Sequence, residues 1–144
     1  MSDCFIKIPI GTDTVFSINT DGTYAIITET SNVSGYDRET IAIESSCLLQ
    51  CYSNGFANII SLNDLLQLRK NYSYSHGIYN NTTLQLCGIC TRADFIVVLF
   101  EKTAKKYLSI APVSELNLHG MLGLKGDNIG SSDISSDTAI VKCI

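Results

Sequence analysis

The 144-residue sequence has no tryptophan, two prolines and two histidines, and charged residues make up only 17% of it. No apolar run approaches the roughly 20 residues that a membrane span requires. The first residues, MSDCFIKIPIG, lack a basic stretch followed by a long apolar one, so we predict no signal peptide, no membrane contact and a cytoplasmic location. With 45% hydrophobic residues, the chain is expected to form one domain with its own core.

Sequence motifs of the common enzyme classes are missing as well. His76 and His119 have no H-E-x-x-H spacing, and no G-x-S-x-G, P-loop or dinucleotide-binding fingerprint occurs. The CGIC pair continues an apolar strand, whereas a redox pair lies at a helix start, where the dipole lowers a thiol pKa. The sequence therefore predicts no catalytic residue, no cofactor and no enzyme activity.

The cysteines raise the question of a metal site. There are six, at positions 4, 47, 51, 87, 90 and 143. A cytoplasmic location disfavours disulfides, and CLLQC together with CGIC would supply four thiolates, a common zinc ligand set. Each pair nevertheless lies in an apolar, strand-like run, and cysteine is among the most buried residue types. We predict core cysteines and no metal, with zinc as the alternative.

Short runs rich in Val, Ile, Phe and Tyr, bounded by Gly, Asn, Asp or Ser, are typical of strands. These runs are TVFSI, YAIIT, TIAIE, CLLQCY, FANIIS, LQLCGIC, DFIVVLF and YLSIA. Helical apolar spacing is confined to one turn, LNDLLQL. Asp21-Gly22 and Asn54-Gly55 each separate two runs and favour tight turns with positive φ. The sequence thus predicts an all-β chain of antiparallel sheets.

The predicted hairpins recur along the chain. VFSINTDGTYAII and CLLQCYSNGFANII share the order strand, glycine turn, strand, and DFIVVLFEKTAKKYLSI repeats it with Lys106 in place of the glycine. The repeats span approximately 13–46, 47–93 and 94–136, and DTAIVKCI at 137–144 resembles the early DTVFSINT. Periods of this length are near those of propeller blades. We therefore predict a single propeller-like domain over 1–144, with about three blades and a closing strand at 137–144.

The order strand, glycine turn, strand is followed here by N-D-L or S-E-L and then by a glycine-rich segment. This sequence of features resembles the repeat of the C-terminal domain of the A subunit of bacterial DNA gyrase and topoisomerase IV. The likeness covers roughly residues 13–144 and is closest over 94–126. It implies a β-pinwheel, a propeller-like ring whose basic rim bends duplex DNA. That family has a box of glutamine, two basic residues, two glycines, a basic residue and a glycine. GMLGLKG at 120–126 keeps Gly123, Lys125 and Gly126 and lacks both paired basic residues.

Charge is distributed unevenly along the chain, whose net charge is −4. Residues 1–68 carry two cations and eight acids, whereas residues 69–125 carry seven cations and three acids. A surface that binds phosphates must be locally basic. The candidate DNA-binding residues are Arg69, Lys70, Lys102, Lys105, Lys106 and Lys125, with Gly123 and Gly126. We predict weak, sequence-independent binding of duplex DNA.

The glycine-rich segment also allows a second interpretation. Glycines let a loop adopt positive φ and bring N–H groups close to a phosphate, and a lysine adds the charge. Alternatively, the segment is a connector between blades, with Met121, Leu122 and Leu124 filling gaps in the core. In the first interpretation, the single lysine of the segment neutralises about one phosphate.

The alternative function is a protein-interaction or inhibitor module that keeps the fold and has lost DNA binding. The acidic first half, the apolar GMLGLKG and the tyrosines of NYSYSHGIYNN motivate it, with a DNA-binding protein as the partner.

The predicted blades also have sheet edges that must be covered. Three blades leave two open sheet edges, which are sites of aggregation unless they are covered. Pairing of residues 137–144 with the first blade would close a small ring. A homodimer, the commonest kind of oligomer, is the alternative.

Overall fold

The computed structural model describes residues 3–11, 13–29, 45–102, 105–129 and 140–143. The elements, in chain order, are β1 (Cys4–Pro9), β2 (Thr14–Asn19), β3 (Tyr24–Thr28), β4 (Ser46–Tyr52), β5 (Phe56–Ser61), α1 (Leu62–Leu65), β6 (Leu84–Thr91), β7 (Phe95–Lys102), β8 (Lys105–Pro112), a 3-10 helix (Val113–Glu115), β9 (Asp127–Asn128) and β10 (Ile140–Cys143).

The strands form three antiparallel sheets. Sheet A has the order β1-β2-β3, sheet B the order β6-β4-β5-β9, and sheet C the order β10-β7-β8. Seven of the eight predicted strand runs fall on observed strands, so the all-β, antiparallel prediction is confirmed. The eighth, TIAIE, lies outside the described residues. No helix among the described residues is long and apolar enough to cross a membrane.

The local signals in the sequence are realised at the turns and at the helix. Gly22 and Gly55 adopt φ values of 90° and 84°, as the hairpin turns require. The predicted helical turn is α1, and the Ser61 hydroxyl accepts a hydrogen bond of 3.1 Å from the backbone N–H of Asp64. A serine at this position satisfies an N–H that the helix leaves unpaired.

Sheet B lies between the other two sheets. One of its faces, with Cys47, Leu49 and Ile59, packs in a core with Ile96 and Val98 of sheet C. The opposite face packs on sheet A in a second core, to which Leu48, Tyr52, Phe16, Ile18 and Ile26 contribute. Every residue of β4 is therefore buried. Strands covered on both faces give continuous apolar runs, which explains why CLLQCY shows no alternation.

Sheets B and C share an order of elements. In each, a hairpin is followed by a short helical turn and a long connection, and the next strand returns to pair with the first strand of that hairpin. In sheet B the returning strand is β6, and in sheet C it is β10. The described residues form three separate sheets and no closed ring, and the propeller arrangement remains a prediction.

The expected pairing of the last strand with the first hairpin is not observed. Residues 140–143 of the predicted closing strand pair with β7, with Val141 opposite Val98. The position beside β2 is already taken by β1, which the sequence analysis did not predict. Because β1 fills that edge, the last strand covers β7, which would otherwise be an open edge.

Candidate nucleic-acid interface

A ladder of aromatic rings leads from the core to a surface arginine. Phe16 contacts Tyr24 at a centroid distance of 6.2 Å, and Tyr24 stacks on Tyr74 at 5.4 Å. Tyr72 meets Tyr74 edge to face at 4.9 Å, and the Arg69 guanidinium lies 5.3 Å from the centroid of Tyr72. Arg69 is exposed, and so is Tyr72. The ladder therefore holds a cation in a defined position on the surface.

The segment that bears this ladder is fixed to the edge of sheet A. The backbones of Tyr24 and Tyr74 exchange two hydrogen bonds of 2.9 and 2.8 Å, and Asn71 donates 2.7 Å to the carbonyl of Ile26. Lys70 forms a bridge with Ile26 and is exposed. Burial, followed by the neighbouring Tyr74, raises the pKa of Tyr24, so this ring remains a neutral phenol. Two of the predicted cations, Arg69 and Lys70, are thus adjacent on an ordered surface.

Lys125 lies elsewhere, on the glycine-rich loop. Its ammonium is 4.4 Å from the centroid of the Phe56 ring, and the side chain is exposed. Lys125 contacts the first residue of β5, whereas Arg69 and Lys70 lie in the connection that follows α1, where Lys70 forms a bridge with Ile26 of sheet A.

Gly123 and Gly126 have positive φ values, 77° and 75°. A Cβ on Gly126 would collide with the carbonyl oxygen of Ala57, and a Cβ on Gly123 with that of His76. Close packing of the loop on neighbouring backbone therefore explains both glycines. The Gly123 N–H donates 3.1 Å to Oε1 of Gln50, inside the protein. DNA contact by these two glycines remains a prediction.

Gln50 is the centre of a buried polar network that fixes both loops. Its Nε2 donates a hydrogen bond of 2.5 Å to the carbonyl oxygen of Gly77. Its Oε1 accepts from the Tyr52 hydroxyl and from Asn58 Nδ2, each at 3.1 Å. Asn58, directly opposite Gln50 on β5, also donates 2.9 Å to the carbonyl of Met121. One glutamine therefore ties the segment after Arg69 and the loop of Lys125 to the same sheet.

The remaining predicted cations are at the tip of the β7–β8 hairpin. Lys102 is opposite Lys105, and Glu101 is opposite Lys106. Lys105 is exposed, and the structure describes only the backbone of Lys102 and Lys106. The Ser109 hydroxyl, four residues along β8 from Lys105, donates 3.0 Å to the carbonyl of Ile129. The hairpin is thereby tied to the chain just after the loop of Lys125.

The four cysteines considered for zinc are divided between the two faces of sheet B. Cys47, Cys51 and Cys90 belong to the core with sheet C, and Cys87 to the core with sheet A. Because residues three apart on a strand point to opposite faces, the CGIC spacing separates its two thiols. Burial raises the pKa of Cys87 to about 12 and also raises that of Cys47. Among the described residues, no group of three or more His, Cys, Asp or Glu is arranged to hold a metal.

The fold defines an all-β protein of packed antiparallel sheets. No family model, curated protein or solved structure matches the chain significantly.

Sequence reasoning missed two residues that organise this region. Tyr24 supports the aromatic ladder, yet it is 50 positions from Tyr74 and appeared only as part of a strand. Gln50 was the single amide in an apolar run, CLLQCY, and that polar residue in a predicted core strand was the available signal.

Proposed function

We propose that the chain is a non-catalytic module that binds duplex DNA weakly and independently of sequence through phosphate contacts. The Arg69–Tyr72 pair, with Lys70 beside it, carries this proposal. An arginine packed on an aromatic ring loses less side-chain freedom on binding, and its planar group can contact a phosphate with two N–H donors.

The surroundings of Arg69 favour an anion. No acidic residue occurs between Asp64 and Asp94 in the sequence, so the connection from α1 to β6 has no negative charge of its own. The exposed Tyr72 adds a polar hydroxyl that can donate to a phosphate or a sugar oxygen. Lys105 and Lys125 supply further exposed cations on other parts of the surface. A few such contacts give weak binding that falls steeply with salt.

The proposed blade arrangement extends this view. The shared order of elements in sheets B and C, which in sheet C includes β10 beyond residue 136, supports gyrase-like repeats that begin near residues 47 and 94. In that reading the cations would follow the outside of successive sheets.

Fluorescence anisotropy of a labelled duplex, titrated from about 20 to 150 mM salt, tests the proposal. We expect Arg69→Ala/Lys70→Ala to weaken binding and to reduce the salt slope by about 1 for each lost cation. A second variant measures how much the other cations contribute to the affinity and to its salt slope; it replaces four lysines by alanine, Lys102, Lys105, Lys106 and Lys125. Lys7→Ala, an exposed cation outside the proposed set, is the control and should bind like the parent. Equal binding by parent and both cation variants would contradict the proposal.

The loop of Lys125 favours the second candidate, a protein-interaction module. Leu118, Met121 and Leu124 on this loop are exposed, although they are apolar. Exposed apolar patches mark contact sites for proteins, and the acidic first half suits a basic, DNA-binding partner. If the DNA titration is flat at low salt, this function is favoured. Met121→Asp should then abolish capture of the partner, while Lys7→Ala should not.

A further inference from the structure

The segment that carries Arg69 and Tyr72 is anchored to the edge of sheet A. Asn71, which lies between them, has a φ of 58°, a left-handed conformation that asparagine adopts more readily than most residues. Its backbone N–H donates a hydrogen bond of 2.7 Å to the carbonyl of Ile26, and its Oδ1 accepts one of 3.1 Å from the backbone N–H of Thr28. Two contacts with β3 therefore fix the backbone from which both side chains extend.

Tyr74 positions the two side chains. Its hydroxyl accepts a hydrogen bond of 3.0 Å from the backbone N–H of Arg69, and its ring contacts the ring of Tyr72 edge to face. Tyr74 itself stacks on Tyr24. Arg69 and Tyr72 are thus held in place although both are exposed, Tyr72 to 47%.

The pair presents a flat aromatic ring and a planar cation to solvent. The Arg69 guanidinium carbon lies 5.3 Å from the centroid of the Tyr72 ring. Nucleic-acid bases stack on aromatic rings and on the planes of arginine guanidinium groups. In a duplex the flat faces of the bases are covered by neighbouring base pairs, so only an unpaired base can stack on a protein side chain.

We propose that Arg69 and Tyr72 form a stacking platform for an unpaired base, so that the chain binds single-stranded DNA more tightly than duplex DNA. This inference rests on the proposed function, because the phosphate beside the stacked base is bound by the same basic segment. Lys70 is exposed next to the platform and supplies that phosphate contact. The platform adds an unpaired base to the ligands of this surface.

Charge alone favours the opposite order of affinities. Duplex DNA carries one phosphate per about 1.7 Å of length, a higher density than that of a single strand. A preference for the single strand therefore measures contact with bases and not the number of phosphates. Stacking of one base on an aromatic side chain is typically worth about fivefold to a hundredfold in affinity, as judged by alanine substitution.

Fluorescence anisotropy with three labelled DNAs of about 12 nucleotides tests the platform. The first is a single strand, the second is its blunt duplex, and the third is a single strand of abasic nucleotides, which keeps the phosphates and lacks the bases. At equal salt, we expect the parent to bind the intact single strand at least about fivefold more tightly than either of the other two.

Variants of Tyr72 and Arg69 separate stacking from charge. Tyr72→Ala should weaken binding to the intact single strand about tenfold and change binding to the duplex and the abasic strand by less than about twofold. Tyr72→Phe keeps the ring and should bind the single strand like the parent. Arg69→Lys keeps the charge and loses the planar group, so it should lower the preference for the single strand and leave the salt slope on the duplex unchanged.

The outcomes for the platform and for phosphate binding are distinguishable. Equal affinity of the parent for the intact and the abasic strand would overturn the platform, as would an equal loss of single-strand and duplex affinity in Tyr72→Ala. The proposed function would survive either result if the duplex is still bound with the expected salt slope. A parent that binds none of the three DNAs would overturn both.

Discussion

Replacement of Gln50 by leucine should destabilise the protein strongly, although leucine is apolar and of similar volume. Gln50 is 0% exposed and makes four hydrogen bonds, to Gly77, Tyr52, Asn58 and Gly123. The similar volume keeps the cavity term small. The destabilisation therefore comes from polar groups that lose their partner inside the core.

The groups left without this partner set the magnitude. Asn58 Nδ2 keeps its bond to Met121, and the Tyr52 hydroxyl keeps its hydrogen bonds with Asn58 and the Tyr79 backbone, but the Gly77 carbonyl and the Gly123 N–H lose the bond to Gln50. A buried polar group without a partner costs about 1–3 kcal/mol, and the buried leucine offsets part of that cost. We expect Gln50→Leu to lower the free energy of unfolding by about 2–4 kcal/mol, out of a typical total of 5–15 kcal/mol.

Urea unfolding followed by circular dichroism measures this change, with Gln67→Leu as the matched control. Gln67 is exposed, and the same substitution there should change the free energy by less than about 0.5 kcal/mol. Hydrogen exchange gives a second readout, because the Gly123 amide should lose protection in Gln50→Leu. If Gln50→Leu costs no more than Gln67→Leu, the network does not stabilise the fold and the reasoning is refuted.

Three further predictions concern local geometry and pH. Gly126→Ala should lower the free energy of unfolding by at least about 2 kcal/mol, since the residue has positive φ and contacts Ala57. Gly120→Ala in the same loop, where nothing lies within 4 Å of the added Cβ, should change it by less than about 0.5 kcal/mol; equal losses in chemical unfolding would contradict this. Ser61→Ala should cost about 1 kcal/mol in the same assay, because the N-cap of α1 is lost; no change would show that the cap is dispensable. Because burial raises the pKa of Cys87 from 9.0 to about 12, the thiol's contribution to stability is complete below pH 9 and is lost as the pH rises towards 12. Unfolding curves between about pH 8 and 11 should therefore show stability falling with pH, less steeply in Cys87→Ala, and a parallel pH dependence in the two proteins would exclude Cys87 as a source.

The strands and their turns could be predicted because their signals are local. The runs YAIIT and FANIIS match β3 and β5 residue for residue, and the glycines of the two Asx-Gly pairs have the positive φ that such turns need. β1 was missed because CFIKIP ends in a proline and has no neighbouring hairpin signal. That omission led directly to the wrong partner for the last strand.

The candidate site was predictable only as a set of cations. The sequence placed four cations in one basic region, namely Arg69, Lys70, Lys105 and Lys125. The distances between these side chains depend on how β5 and its loops pack against the sheets. The structure puts Lys70 beside Ile26 of sheet A and Lys125 beside Phe56, the first residue of β5.

The sequence by itself determined the strand periodicity, the hairpin turns and the short helix after β5, since each depends on residues within a few positions of one another. The tertiary structure alone decided that sheet B is covered on both faces, that Tyr24 supports Tyr74, and that Gln50 holds two distant loops. Those features join residues tens of positions apart. They depend on which sheet faces pack together, and an apolar strand run such as CLLQCY does not say which sheet covers each of its faces.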